Sequence, residues 1–292
     1  LNTSADETAV CNLGSINMAR HIKDGKVDEE KLATTIGIAM NMLDNVIDIN
    51  FYPTKEGENA NMRHRPVGMG IMGLQDAMYQ CDIPFDDERA QDFCDEMMET
   101  VSYYAILSSS MLAKERGAYP SFKGSKWDRN IFPIDTLDFL EKERGEKITV
   151  NRTVRRDWAP VREHVQKYGM RNSNTMAIAP TATIANISGC MPCIEPIYKN
   201  LYVKANQQGE FTVVNRALVN DLKARGLWTN DVRQKIKYYD GSIQQIEEIP
   251  SELKSKYKTS FELDPEWLVQ LTAVRAKWID QSQSHNIFMQ GV

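Results

Sequence analysis

The sequence has no apolar run approaching the roughly 20 residues that a membrane-spanning helix requires. It shows no charged-then-apolar leader, so the expected compartment is the cytoplasm rather than a secretory route. Cysteine is scarce, five in 292 residues, and the number is odd. That argues against a secreted disulfide framework and for a reducing environment. Histidine is scarcer still. His21, His64, His164 and His285 are scattered, which leaves Cys190-Met191-Pro192-Cys193 without the second ligand pair of a structural zinc site. Neither sign of charge dominates: 35 Lys and Arg against 40 Asp and Glu give a net charge of −5. A dominant nucleic-acid surface is therefore not expected, although a local basic groove remains compatible with the balance.

What is present is ordinary globular material, 42% apolar and 26% charged, enough for a large core. Apolar residues at helical spacing predict a helix over 28–49 through Leu32, Ile36, Met40, Leu43 and Ile47. A second is predicted over 87–116, stopped by Gly117. A third runs from about Asp157 to Tyr168, with Gly169 at its end, and a fourth starts at Asp264-Pro265. Between them, 175–179 reads as a short buried strand. Residues 198–204 and 211–214 read as a hairpin across 207–209. The polar stretch 235–259 reads as a surface excursion with short helical pieces. Helices alternating with short apolar strands make the fold class α/β. Cys81 and Cys94 read as structural thiols.

Three segments could carry chemistry. Gly68-Met69-Gly70-Ile71-Met72-Gly73 has the form G-x-G-x-x-G. No buried strand can precede it, so a dinucleotide fold is set aside in favour of a glycine-thinned strand over 67–72. Pro180-Thr181-Ala182-Thr183-Ile184-Ala185 follows a strand and opens a helix. Free N–H groups at the positive end of a helix dipole, at the carboxyl end of a strand, suit a phosphate; a plain Thr cap is the alternative. Cys190 and Cys193 have the spacing of a redox pair or half a zinc site, but in a loop they read better as small packing residues. Cys11, after a short β-favourable run, is locally indistinguishable from an inert buried thiol.

Glu7-Thr8-Ala9-Val10-Cys11-Asn12-Leu13 resembles the segment around the second redox cysteine of the catalytic subunit of class I ribonucleotide reductases. His64-Arg65-Pro66-Val67-Gly68-Met69-Gly70, Arg171-Asn172-Ser173, Ala179-Pro180-Thr181-Ala182-Thr183 and Ile194-Glu195-Pro196 continue the resemblance in order. Gly241-Ser242-Ile243-Gln244 and 279–286 close it. The resemblance implies a ten-stranded α/β barrel of the ribonucleotide reductase and pyruvate formate-lyase type, with 1–292 as its C-terminal portion. It implies reduction of ribonucleoside diphosphates to 2′-deoxyribonucleotides by thiyl-radical chemistry. Cys11 falls on one of two reducing cysteines, and Pro180, Thr181, Ala182, Thr183, Ile184 and Ala185 on the substrate diphosphate loop.

The same resemblance implies no cofactor held in this chain. It implies a metal-containing small subunit as radical source, nucleotide effectors, and thioredoxin or glutaredoxin as reductant. A large-subunit homodimer or a complementing N-terminal fragment would be a further partner; no membrane or nucleic-acid partner is expected. The chain begins Leu1-Asn2-Thr3 and stops at Gln290-Gly291-Val292. The thiyl-forming cysteine, the first redox cysteine and the effector sites are expected before Leu1, and the radical-transfer tyrosines after Val292. The isolated chain is therefore expected to be inactive. Tyr103-Tyr104 and Tyr238-Tyr239 lie outside the tyrosine motif and read as structural. The competing readings are a nucleotide-binding module without redox chemistry and a cobalamin-dependent relative.

Overall fold

The computed structural model describes residues 1, 3–206 and 209–289. Strand β1 (Asn12–Asn17) is followed by the short pair β2 (Ile22–Lys23) and β3 (Lys26–Val27). Then come α1 (Glu29–Ile49), α2 (Lys55–His64), β4 (Val67–Met72), α3 (Leu74–Gln80) and the long α4 (Glu88–Arg116). After α5 (Thr136–Arg144), α6 (Ala159–Tyr168) and α7 (Ala182–Ser188), a hairpin forms from β5 (Leu201–Asn206) and β6 (Gly209–Val214). Helices α8 (Arg216–Ala224), α9 (Asn230–Tyr238), α10 (Ser251–Lys256) and α11 (Pro265–Ala276) complete the order.

The helices expected from periodicity are present, and carboxylates cap three of them. Asp28 accepts from Lys31 N–H, Asp87 from Arg89 N–H and Asp264 from Glu266 N–H. The third helix starts at Ala159, two residues later than Asp157, whose Oδ1 accepts from the Ala159 N–H at 3.0 Å. The hairpin is antiparallel, with Leu201 opposite Val214; residues 207 and 208 of its turn lie outside the described residues.

The sheet that organises the fold is parallel. β1 pairs with β4, Asn12 opposite Val67 through Asn17 opposite Met72. Residues 175–178 continue it beside β4: Met69 N–H donates to Thr175 O at 2.9 Å and Ala177 N–H to Met69 O at 3.2 Å. Residues 282–284 follow, with Ile178 N–H donating to Ser282 O at 3.2 Å and Ser284 N–H to Ile178 O at 2.8 Å. The expected strand at 175–179 is thus in place as bridges rather than a full ladder. Among the described residues these four segments form an open arc, not a closed barrel.

Side chains alternate across a strand, so the arc has two faces. Ile16, Val67, Met69, Ile71, Met176 and Ile178 are buried in the main core under α1, α4, α6 and α11. The same core stacks Trp158 on Trp278, ring centroids 5.9 Å apart. Beside them the buried Asp95 accepts from Trp278 Nε1 at 2.6 Å and pairs with the buried Lys277 at 2.9 Å. A second buried ion cluster closes the turn between α2 and β4. Arg65 adopts a left-handed conformation (φ 48°), sparsely populated for a side-chain-bearing residue. It is held there by Asp44, whose Oδ1 accepts from Nη2 at 2.8 Å; Arg116 and Arg171 each reach the other oxygen at 3.2 Å.

The reading of 235–259 as a surface excursion is overturned. Ile243, Ile246, Ile249, Leu253 and Tyr257 are buried with Leu218, Leu222, Val232 and Ile236 in a second core. Tyr257 joins it to Tyr79 of α3 at a centroid distance of 4.8 Å, while its Oη donates to Asp221 at 2.6 Å. The polar residues lie on the outside of this small unit, and the isoleucines recur every third residue through turns rather than along a helix.

Candidate active site

The face of the arc turned away from the helices is stripped of bulk. On β4 it carries Gly68 and Gly70, and on the neighbouring segment Ala177. A Cβ on Gly70 would stand 2.5 Å from the Ala177 carbonyl oxygen, and one on Gly68 3.2 Å from Cys11 Sγ. Small residues here let backbones approach closely and leave the face open to a ligand. The open space is a cleft of about 1200 Å³. Val10 and Leu13 border it beside Cys11; Ala177, Pro180, Asp280 and Gln281 border it elsewhere.

Cys11 precedes β1 and shares the open face with Leu13 by strand alternation. Its approach is anchored by Glu7, which accepts from His64 Nε2 at 2.9 Å and Arg63 Nη1 at 3.0 Å. The hydrogen bond from His64 is the main reason the Glu7 carboxyl is pulled down to about 2. Burial pushes the Cys11 thiol up to about 11, so at neutral pH the sulfur keeps its hydrogen. Gln281 Oε1 lies 3.7 Å from Cys11 Sγ. Next to it, Asp280 accepts from the N–H groups of Thr175 at 2.7 Å and Met176 at 3.0 Å. Burial nonetheless raises its carboxyl to about 6.

At the far side, Thr181 is buried and clipped to Cys193. Thr181 N–H donates to Cys193 Sγ at 3.1 Å, and Cys193 N–H donates to Thr181 Oγ1 at 2.6 Å. The Thr181 hydroxyl is therefore engaged within the protein. Ala182, Thr183 and Ile184 are exposed, while Ala185 is buried. The first backbone bond inside α7 runs from Ala185 N–H to Thr181 O at 2.9 Å, so the three preceding N–H groups have no helical acceptor. Among the described residues Cys11 makes no hydrogen bond to 180–185; the cleft is lined by its neighbours Val10 and Leu13 on one segment and by Pro180, at the start of that loop, on another.

A family model described as "Ribonucleotide reductase, barrel domain" matches residues 1–292. The chain belongs to the ribonucleotide reductase barrel-domain family. It is 53% identical over 290 residues to the ribonucleoside-diphosphate reductase subunit alpha of Chlamydia pneumoniae, covering 99% of this chain and 28% of that protein. It is 39% identical to the ribonucleoside-diphosphate reductase large chain of Schizosaccharomyces pombe, covering 98% of this chain and 34% of the other. Among solved structures it resembles the Actinobacillus ureae class Id ribonucleotide reductase alpha subunit. That match has a TM-score of 0.72 at 25% identity and covers 97% of this chain and 44% of that one. The chain thus spans about a third of the length of the curated relatives it matches.

Within this ribonucleotide reductase barrel domain all five cysteines are free thiols. Cys193 acts as the clip on Thr181, and Cys190 packs against Gly73, where an added Cβ would meet its own Cβ at 3.1 Å. Among the described residues no group of three or more His, Cys, Asp and Glu side chains is arranged to hold a metal ion, and no helix is long and apolar enough to cross a membrane. Tyr103 packs edge-on against Trp158 at 5.3 Å, and Tyr104 donates to Glu29 at 2.6 Å. Gln281 was missed as a site residue from sequence, because its contact with Cys11 spans 270 positions.

Proposed function

We propose that this chain supplies one reducing thiol and the substrate-facing wall of a ribonucleoside-diphosphate reductase, which converts ribonucleoside diphosphates to 2′-deoxyribonucleotides. The observation that carries the reading is a protonated thiol, Cys11, on the glycine-thinned face of a parallel arc, beside a cleft wide enough for a nucleotide. Cys11 is one of two thiols that together surrender two electrons and two protons as they become a disulfide, while the ribose 2′ oxygen leaves as water. Enclosure keeps bulk water from the radical on the sugar. The exposed N–H groups of Ala182, Thr183 and Ile184 are the donors for the diphosphate, with Pro180, Thr181 and Ala185 shaping the loop. The radical comes from a metal-containing small subunit; nucleotide effectors set the activity, and thioredoxin or glutaredoxin restores the thiols. The expected compartment is the cytoplasm, where five free thiols persist.

The test is Cys11→Ser in a reductase assembled around this chain, scored by deoxynucleotide formed per active site. Multiple turnover should be lost while nucleotide affinity is kept. Unimpaired multiple turnover would refute the assignment of Cys11. An assembly that binds nucleotide but never forms deoxynucleotide would favour a pure binding module, and dependence on added cobalamin would favour the cobalamin-dependent relative.

A further inference from the structure

Gln281 touches two groups that define its orientation. Its Nε2 donates to the Val67 carbonyl at 2.9 Å, and its Oε1 lies 3.7 Å from Cys11 Sγ. The two contacts depend on each other. A carbonyl oxygen only accepts, so Val67 fixes which end of the amide carries the N–H groups. The end turned to the sulfur is then an oxygen, and it too only accepts. The contact is satisfied only while the sulfur bears hydrogen. Among the described residues the sulfur's other hydrogen-bond partner is the Asn12 carbonyl oxygen at 3.8 Å, again an acceptor. Among the described residues the charged side chain that bears on Cys11 is the Asp280 carboxylate, which opposes a thiolate.

We propose that Gln281 is a positioning residue that holds Cys11 as S–H, with the amide locked in its acceptor orientation by the Val67 carbonyl. A hydrogen bond from this amide would lower the thiol and favour the thiolate only with its N–H groups turned to the sulfur. That orientation would set Oε1 against the Val67 oxygen, whereas the amide faces Val67 with Nε2 and the sulfur with Oε1. The proposal rests on the reading of Cys11 as a reducing thiol and gives that thiol a guard. A protonated sulfur is a poor nucleophile, so Cys11 is shielded from exchange with soluble disulfides. Gly68 is part of the same arrangement, since its lack of a side chain leaves the sulfur its place beside β4.

The test reads alkylation by iodoacetamide at mildly alkaline pH in the 292-residue chain, quantified peptide by peptide by mass spectrometry. Gln281→Met and Gln281→Glu have side chains of similar length. Met removes the acceptor, and Cys11 should react about three- to tenfold faster, the range set by one hydrogen bond. Glu gives up the bond to the Val67 carbonyl, but it keeps an acceptor beside the sulfur and adds a negative charge that opposes a thiolate, so Cys11 should react at or below the parent rate. Cys81, half-buried and raised to about 11 by burial alone, is the internal reference and should not change. Acceleration in both variants would mean mere loosening, and any pattern other than acceleration by Met alone overturns the proposal. No turnover is read, so this result and the Cys11→Ser result can fail independently.

Discussion

Gly70→Ala is the substitution that most directly probes the close approach of β4 and residues 175–178. The new Cβ would stand 2.5 Å from the Ala177 carbonyl oxygen and 3.2 Å from Ile178 Cα. Carbon and carbonyl oxygen rest at about 3.3–3.6 Å, so the two backbones must part by roughly 1 Å. Both are main chain, and neither can rotate away. The separation stretches the Ala177 N–H to Met69 O bond at 3.2 Å and the Met69 N–H to Thr175 O bond at 2.9 Å. Losing two backbone bonds costs about 1–3 kcal/mol, and overpacking adds about 1–3 kcal/mol. The entropy that glycine loses on folding offsets about 0.5–1 kcal/mol of this. The expected net loss is about 1–5 kcal/mol. Gly68→Ala is the matched control. Its nearest atom, also at 2.5 Å, is Leu13 Cδ2, the tip of an exposed side chain that can swing aside, while Cys11 Sγ and Ala177 Cβ, both at 3.2 Å, need yield only slightly. That variant should lose less than about 1 kcal/mol. Urea unfolding followed by far-UV circular dichroism measures both. If Gly70→Ala proves no less stable than Gly68→Ala, the argument that backbone contact sets the spacing of the arc is wrong.

Asp44→Ala leaves the buried Arg65 guanidinium without its principal carboxylate and should cost about 3–5 kcal/mol in the same urea assay. Asp48→Ala removes a half-exposed partner of Arg65 and should cost far less; equal losses would contradict the buried-charge argument. Asp280 should give the chain an acid-side pH dependence. Its carboxyl is raised to about 6 by burial, so the stability it contributes is complete below its unfolded value near 4 and fades as pH rises through 6. Asp280→Asn should flatten the profile of urea midpoints between about pH 4 and 6, and an unchanged slope there would count against that carboxyl as its source.

The helices were legible because one side of each meets the core: Leu32, Ile36, Met40, Leu43 and Ile47 repeat at helical spacing and are all buried. The cap at Asp264 was legible for an equally local reason, since a carboxylate beside a free N–H needs no tertiary partner. Gly68 and Gly70 marked their strand as one that another backbone approaches. The second core was not legible. Ile243, Ile246 and Ile249 follow neither helical nor strand periodicity, and their burial depends on α8, α9 and Tyr79 arriving from elsewhere. The clip between Cys193 and Thr181 was equally hidden, because a thiol accepting a backbone N–H leaves no pattern in composition or spacing.

The four segments of the arc begin at residues 12, 67, 175 and 282, with α1 and α2, then α3 to α6, then α7 to α11 between them. The contact between Cys11 and Gln281 closes a loop of 270 positions. Closing so long a loop delays its formation, and native pairings of this separation are characteristic of slow folding. During synthesis Cys11 emerges 270 residues ahead of Gln281. The thiol therefore spends the folding interval unguarded, and its protection arrives only as the last segment joins the arc. Resistance of Cys11 to alkylation would accordingly serve as a clock for the completion of folding.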